Sequence, residues 1–275
     1  MNQLNKVYKL NGAGNSFFFI FDLPQYAAMP YSDWAVQLCM PEAIAVTDGL
    51  MVITNFGNLD KEFDILFFNP DGSQYSLCFN AMRSAVYLWH HITGNERVTI
   101  HTLKTDFQGS IKNEVVTLTF QPWFEQVQPL PIHGLLGRAN SWYIPHGDPH
   151  VALFDNGFDE RDFLYYAQGV RHNLSISPTG TNFHLVHEKD VNHPEGNFKI
   201  RSFERGVEGE TNACGSGCLA AAIVLNKEKN LQAMAFETKL GHTITVGLNA
   251  DGTWYMSGPA VLEYAEDLQA KMLGN

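Results

Sequence analysis

Asn69-Pro-Asp-Gly-Ser-Gln-Tyr-Ser-Leu-Cys78-Phe-Asn-Ala-Met-Arg83 and Glu204-Arg-Gly-Val-Glu-Gly-Glu-Thr-Asn-Ala-Cys214-Gly-Ser-Gly-Cys218 follow one plan. In each, a polar, glycine-bearing loop runs into a cysteine, and the cysteine opens a stretch that reads as a helix. A thiol at a helix N-terminus meets unpaired backbone N–H groups and the positive end of the helix dipole. Both favour thiolate and lower the pKa below the free value of about 8.5. Two such thiols acting on one substrate can work as a base and an acid.

Outward from these stretches the chain repeats itself at an offset near 135. Gly14-Asn-Ser-Phe-Phe-Phe-Ile-Phe21 matches Gly147-Asp-Pro-His-Val-Ala-Leu-Phe154, a turn and an apolar strand in each case. Ile65–Asn69 matches Ile200–Glu204, Cys78 matches Cys214, and Thr102 matches Thr238. Periodicity predicts strands over Val7–Leu10 and Phe17–Phe21 around an Asn11–Gly14 turn, a short helix over Asp33–Met40, and strands over Leu50–Thr54 and Asp64–Phe68. Met82, Ala85, Val86 and Trp89 recur at helical spacing within Asn80–His91, so that helix buries one face. Segments 98–103, 109–111 and 115–120 read as antiparallel hairpins, and the second half repeats the scheme with Leu219–Leu225 as its central helix. Pro122, Pro129 and Pro131 crowd the expected connector. The whole predicts an α+β protein of two domains.

Composition narrows the function. The 275 residues, 45% of them hydrophobic, suffice for two cores, and a net charge of −11 without any basic run makes nucleic acid and anionic membrane poor partners. Phe17–Phe21 is too short for a signal or a spanning segment, so a soluble, cytoplasmic protein is expected. Four cysteines without a Cys-x-x-Cys pair or zinc-like spacing read as free thiols, and Cys39 and Cys218 as small buried hydrophobes. No phosphate loop or dinucleotide fingerprint is present, and neither metal nor organic cofactor is expected.

Nine blocks, spread almost end to end, resemble the diaminopimelate epimerase family of cofactor-independent racemases and epimerases. They are Gly14-Asn15-Ser-Phe, Asp48-Gly49, Asn69-x-Asp-Gly-Ser73, Cys78-x-Asn80-x-x-Arg83, Gly147-Asp-Pro-His150, Gly180-Thr-Asn182, Glu204-Arg-Gly206, Ala213-Cys-Gly-Ser-Gly217 and Ser257-Gly-Pro-Ala260. The resemblance implies two pseudo-symmetric lobes, each a mixed or antiparallel barrel-like sheet around a central helix, with the active site in the cleft between lobes. On this plan residues 1–127 form the first lobe, 128–260 the second, and 261–275 pack back on the first. It implies inversion of an amino-acid α-carbon by one cysteine thiolate and one thiol, most directly LL- to meso-diaminopimelate in lysine and cell-wall precursor synthesis, and a homodimer.

Carried over residue by residue, Cys78 and Cys214 would move the proton, with His150 and Glu204 tuning them. Asn15, Asn69, Asn182 and Arg205 would hold the substrate, Arg205 clamping a remote carboxylate. The N–H groups of Phe79, Asn80, Gly215 and Ser216 would stabilise developing charge. Taken alone, Asn15 and Asn69 read as turn residues and Glu204-Arg205 as a solvated surface pair. Four departures from the family pattern stand near this site. Phe79-Asn80-Ala81 replaces Gly-Asn-Gly, so that a phenyl ring either fills space the substrate needs or tilts the helix entrance. Asp148 replaces Asn, adding charge that favours a cationic group and repels a carboxylate. Ser16 replaces Asp, and the loop 207–210 is one residue longer. These departures leave open a sibling racemase for another amino acid, one with a basic side chain, and a degenerate copy that binds an amino acid or a partner without turnover.

Overall fold

The computed structural model describes residues 3–24, 29–39, 47–57, 61–121, 123, 126–130, 140–145, 148–155, 157, 160–190 and 196–267. The chain divides into two compact units, Met1–Phe120 together with Ser257–Asn275, and Gln121–Met256.

The first unit holds β1 (Lys6–Gly12), β2 (Asn15–Phe21), α1 (Tyr31–Cys39), β3 (Leu50–Thr54), β4 (Glu62–Phe68), β5 (Gln74–Tyr75), α2 (Phe79–Thr93), β6 (Arg97–His101), β7 (Asp106–Lys112) and β8 (Val115–Phe120). β1 turns into β2 through Ala13 and Gly14, both at positive φ, as a tight hairpin requires. β2 then pairs in parallel with β3, α1 making the crossover, and β4 pairs in parallel with β6, α2 making the crossover. The other neighbours are antiparallel, and β5 shares the β4 edge with β6. The C-terminal strand, labelled β18 (Val261–Asp267), returns to pair antiparallel with β1. Lys9 reaches Glu263 on it at 3.0 Å, and Ser16, one of the departures from the family pattern, donates from Oγ to the same carboxylate at 3.1 Å.

Helix α2 touches β18, β1 and β2 as well as β6, β7 and β8, so both ends of the strand order curl around it. Its side chains are therefore buried on nearly every face, Met82, Leu88 and Trp89 among them, each contributing about 1.5–3 kcal/mol by leaving water. The Phe17–Phe21 run is continuous because its strand is covered on both sides. Phe18 and Ile20 pack on Trp34, Ala35 and Leu38 of α1, while α2 lies on the other face.

The second unit holds β9 (Gln128–Pro129), β10 (Ser141–Ile144), β11 (His150–Phe154), α3 (Phe163–Arg171), β12 (Asn182–Asp190), β13 (Asn197–Glu204), β14 (Gly209–Thr211), α4 (Gly215–Lys229), β15 (Ala233–Glu237) and β16 (Thr243–Leu248), and β17 (Trp254–Gly258) follows. Its pairings repeat the first unit step for step: β11 with β12 in parallel across α3, β13 with β15 in parallel across α4, β14 sharing the β13 edge, and the rest antiparallel. β9 stands beside β10 as β18 stands beside β1. The helix expected over Leu219–Leu225 extends to Gly215–Lys229, because Gly-Ser-Gly forms its first turn rather than a loop. Pro129 lies in β9; Pro122, Pro131 and Met40 lie outside the described residues.

Candidate active site

Cys78 and Cys214 occupy the same place in the two units, the N-cap of a 15-residue helix, each with extended backbone angles. The carbonyls of Cys78 and Cys214 accept the first helical hydrogen bonds, from Met82 at 2.9 Å and Cys218 at 3.0 Å. The Cys214 side chain accepts from an N–H of that first turn, whereas Cys78 makes no side-chain cap hydrogen bond.

At the α2 entrance, Asn80 donates from Nδ2 to Asn15 Oδ1 at 2.7 Å, and Arg83 donates to Asn80 Oδ1 at 2.6 Å. Asn80 and Arg83 are buried, so this chain of amides fixes Asn15 at the start of β2 from beneath. Asn69 lies in the turn before β5, donating to Ser73 Oγ at 2.9 Å. The Phe79 ring, expected to crowd the substrate, is instead 3% exposed and packs against Phe107 and Phe120 at centroid separations of 5.9 and 5.3 Å. It turns inward to the core, and what Phe79 can offer a ligand is its N–H. Tyr75 stands close enough to Cys78 for the two to interact; burial, with Cys78 and Asp48 adding to it, pushes its phenol well up.

At the α4 entrance, Cys214 is 4% exposed and its Sγ accepts from the Gly217 N–H at 3.4 Å, with Ser216 Oγ also at 3.4 Å. Burial, followed by the negative charge of Glu204, pushes this thiol well up, and the two hydrogen bonds offset only part of that. The expected lowering of the pKa at a helix N-terminus is therefore reversed here: desolvation exceeds the helix-end effect, and Cys214 rests as a thiol. Glu204 ends β13 and accepts from Thr211 Oγ1 across the β13–β14 hairpin.

Asn182 accepts from the Arg205 backbone N–H at 2.8 Å and donates to the Pro149 carbonyl at 3.2 Å, so its amide holds two loops in register. Arg205 and Asp148 are joined as an ion pair. Gly147, the first residue of that block, lies outside the described residues. The longer loop is anchored by Glu208, which takes two bonds from Arg171 at 2.5 and 3.1 Å and one from the Gly206 N–H at 3.0 Å.

His150 is buried and bonds through Nδ1 to Nε2 of His184 at 2.8 Å, and His184 Nδ1 lies 2.9 Å from Ser202 Oγ. Burial holds His150 down to about 4 and His184 well below its ordinary value. His184 is the functional candidate that sequence reading missed. The signal was available in strand alternation: Phe183, Leu185 and Phe203 face α3, which leaves His184 and Ser202, paired across β12 and β13, on the α4 side. A Cβ on Gly217 would lie 2.3 Å from the His184 ring, so this glycine admits the imidazole to the first turn of α4.

Among the described residues no group of three or more His, Cys, Asp or Glu is arranged to hold a metal ion, and no helix is long and apolar enough to cross a membrane. A cavity of about 200 Å³ lined by Trp142, Phe198, Val224 and Lys229 belongs to the last turns of α4, at the end away from Cys214.

A family model described as diaminopimelate epimerase matches residues 142–263. The diaminopimelate epimerase of Aquifex aeolicus is 30% identical over 266 residues, 89% of this chain and 90% of that protein. That of Chlorobaculum tepidum is 27% identical over 281 residues, covering 93% and 98%. Among solved structures, a phenazine biosynthesis protein of the PhzF family from Enterococcus faecalis superposes with a TM-score of 0.67 at 15% identity, over 94% of this chain and 97% of that one. Methylitaconate-delta-isomerase superposes with a TM-score of 0.59 at 13% identity, over 98% and 97%. These two likenesses speak for the fold; the sequence relatives speak for the family. Two cysteine-capped helices in duplicated units, a Glu-Arg pair before the second and full-length relatives at this identity lead to one conclusion: the chain belongs to the diaminopimelate epimerase family of isomerases.

Proposed function

We propose that this chain inverts the α-carbon of diaminopimelate without a cofactor, interconverting the LL and meso forms, with Cys78 and Cys214 as the proton-transferring pair. What supports the reading above all is the equivalence of the two thiols, each the N-cap of the crossover helix in a unit of the same strand order. Cys214, resting protonated beside Glu204, is suited to deliver a proton to a carbanion. In the reverse direction Glu204 would take the proton that Cys214 gives up, and the Gly217 N–H would stabilise the thiolate left behind. A carbanion next to an ionised carboxylate needs fixed donors, and the N–H groups opening α2 and α4 are of that kind. Arg205 would take the distal carboxylate, with Asn182 holding its backbone in place.

The test is incubation of purified protein with LL-diaminopimelate in deuterium oxide, followed by mass spectrometry. The expected result is one deuterium at the α-carbon of each inverted centre. Binding without label, or neither binding nor label, overturns the reading.

The ion pair between Arg205 and Asp148 favours a second reading. With its guanidinium already facing a carboxylate, Arg205 attracts a second carboxylate less, and Asp148 offers a cationic substrate end a partner. A racemase for a basic amino acid would then exchange label into lysine, ornithine or arginine in preference to diaminopimelate, and the same deuterium assay across that panel separates the two.

A further inference from the structure

Two neutral imidazoles 2.8 Å apart, nitrogen to nitrogen, share a single hydrogen, so the tautomers of His150 and His184 are coupled. Two arrangements satisfy the contact. In one, Ser202 donates to His184 Nδ1, His184 donates from Nε2 to His150 Nδ1, and His150 carries its proton on Nε2. In the other, every bond runs the opposite way. The second arrangement obliges the buried Ser202 hydroxyl to send its own hydrogen elsewhere, and among the described residues His184 is its only side-chain partner. It also places both rings in the intrinsically less favoured Nδ1–H form.

We infer that His184, braced by Ser202, locks His150 in the Nε2–H tautomer, making His184 and Ser202 positioning residues for a neutral hydrogen-bond donor in the active site. The catalytic part of this rests on the reading above, in which His150 tunes a thiol. A neutral donor stabilises a thiolate or a substrate carboxylate without adding a positive charge. The groups that face His150 fit this role: His184 from β12, Asp148 before β11 and Arg205 after β13, the last two of opposite charge. Burial keeps both rings unprotonated near neutral pH, so the tautomer rather than the charge is what the chain controls. Gly217 couples the device to the thiol, since it supplies the N–H that Cys214 accepts and the space in which the His184 ring sits.

The experiment is a long-range ¹H–¹⁵N correlation on protein labelled in its histidines, at pH 7, with kinetics on the same samples. Wild type is expected to show protonated Nε2 and bare Nδ1 on both rings. His184→Met removes the donor; the His150 pattern should move toward a tautomer mixture and kcat should fall at least roughly tenfold with KM little changed. His184→Gln, which returns an N–H at the ε position, should restore both. A protonated Nδ1 on His150 in wild type, or an unchanged His150 pattern in His184→Met, overturns the inference, as does a kcat that ignores both variants. Protein that turns over no amino acid at all would instead sink the proposed function, while the resonance pattern would still decide the tautomer.

Discussion

The first turns of α2 and α4 are built from opposite materials. After Cys78 come Phe79, Asn80 and Ala81, and it is the strand beneath that gives way: a Cβ on Gly12 of β1 would lie 2.4 Å from the Asn80 carbonyl oxygen. After Cys214 come Gly215, Ser216 and Gly217, and here the helix gives up its side chain so that an imidazole of β12 can press against it. The residue aligned with Asn69 is Glu204, so a neutral turn amide in one unit becomes a carboxylate beside the thiol in the other. One backbone plan thus sets two sulfurs in different surroundings. That is the asymmetry expected if a single reaction is to be run in both directions by a pair that exchanges roles.

The largest effect tests whether the two ends are equally necessary. Cys78→Ser and Cys214→Ser should each lower turnover by about 10²–10⁴-fold with folding intact by circular dichroism. Full activity in either variant would break the pairing. Next, the thiols should differ in how they answer to charge. Glu204→Gln removes the anion that raises Cys214, so its thiolate fraction rises and alkylation of ligand-free protein by iodoacetamide at pH 8, followed by peptide mass spectrometry, should quicken by roughly tenfold; Cys78 serves as the internal reference.

The buried imidazoles give the second unit a pH dependence. His150 titrates near 6.5 when unfolded and about 4 when folded, so between those values unfolding takes up a proton. Stability is complete above 6.5 and is lost as the pH falls toward 4, by about 3 kcal/mol across the window. Urea midpoints at pH 7.5 and 5 should therefore converge in His150→Gln relative to wild type. Gly217→Ala should cost about 1–3 kcal/mol by driving a methyl into the His184 ring. The smallest effect concerns specificity. Asp148→Asn frees Arg205 and should lower KM for diaminopimelate by about threefold, roughly the worth of a partly exposed ion pair.

Much of this was legible in residue order because duplication leaves its mark there. The two Cys-helix junctions, the hairpin at Ala13–Gly14 and the strands around each central helix follow from turn residues and apolar spacing. Helix α4 exceeds the apolar Leu219–Leu225 at both ends for different reasons: Gly215 and Gly217 are enclosed by the surrounding structure, while the exposed Lys227–Lys229 are good helix formers that carry it to the left-handed Asn230. Phe79 looked like an obstruction because sequence gives a residue's identity but not the direction of its side chain, and the ring points to Phe107 and Phe120. Sequence predicts a lowered pKa for Cys214 because burial, which dominates it, cannot be read from neighbours in the chain. His184 was passed over because an isolated histidine among apolar residues carries no motif; its meaning comes from Ser202 and His150 on adjacent strands.

The pairing of Val261–Asp267 with Lys6–Asn11 sets an order on biogenesis. A ribosome has to synthesise the whole second unit before the partner for β1 emerges, so the part translated first is the last to be finished. Until then a nascent chain presents the bare margin of β1 beside the phenylalanine-rich β2, a surface for chaperones to guard and for neighbouring chains on a polysome to capture.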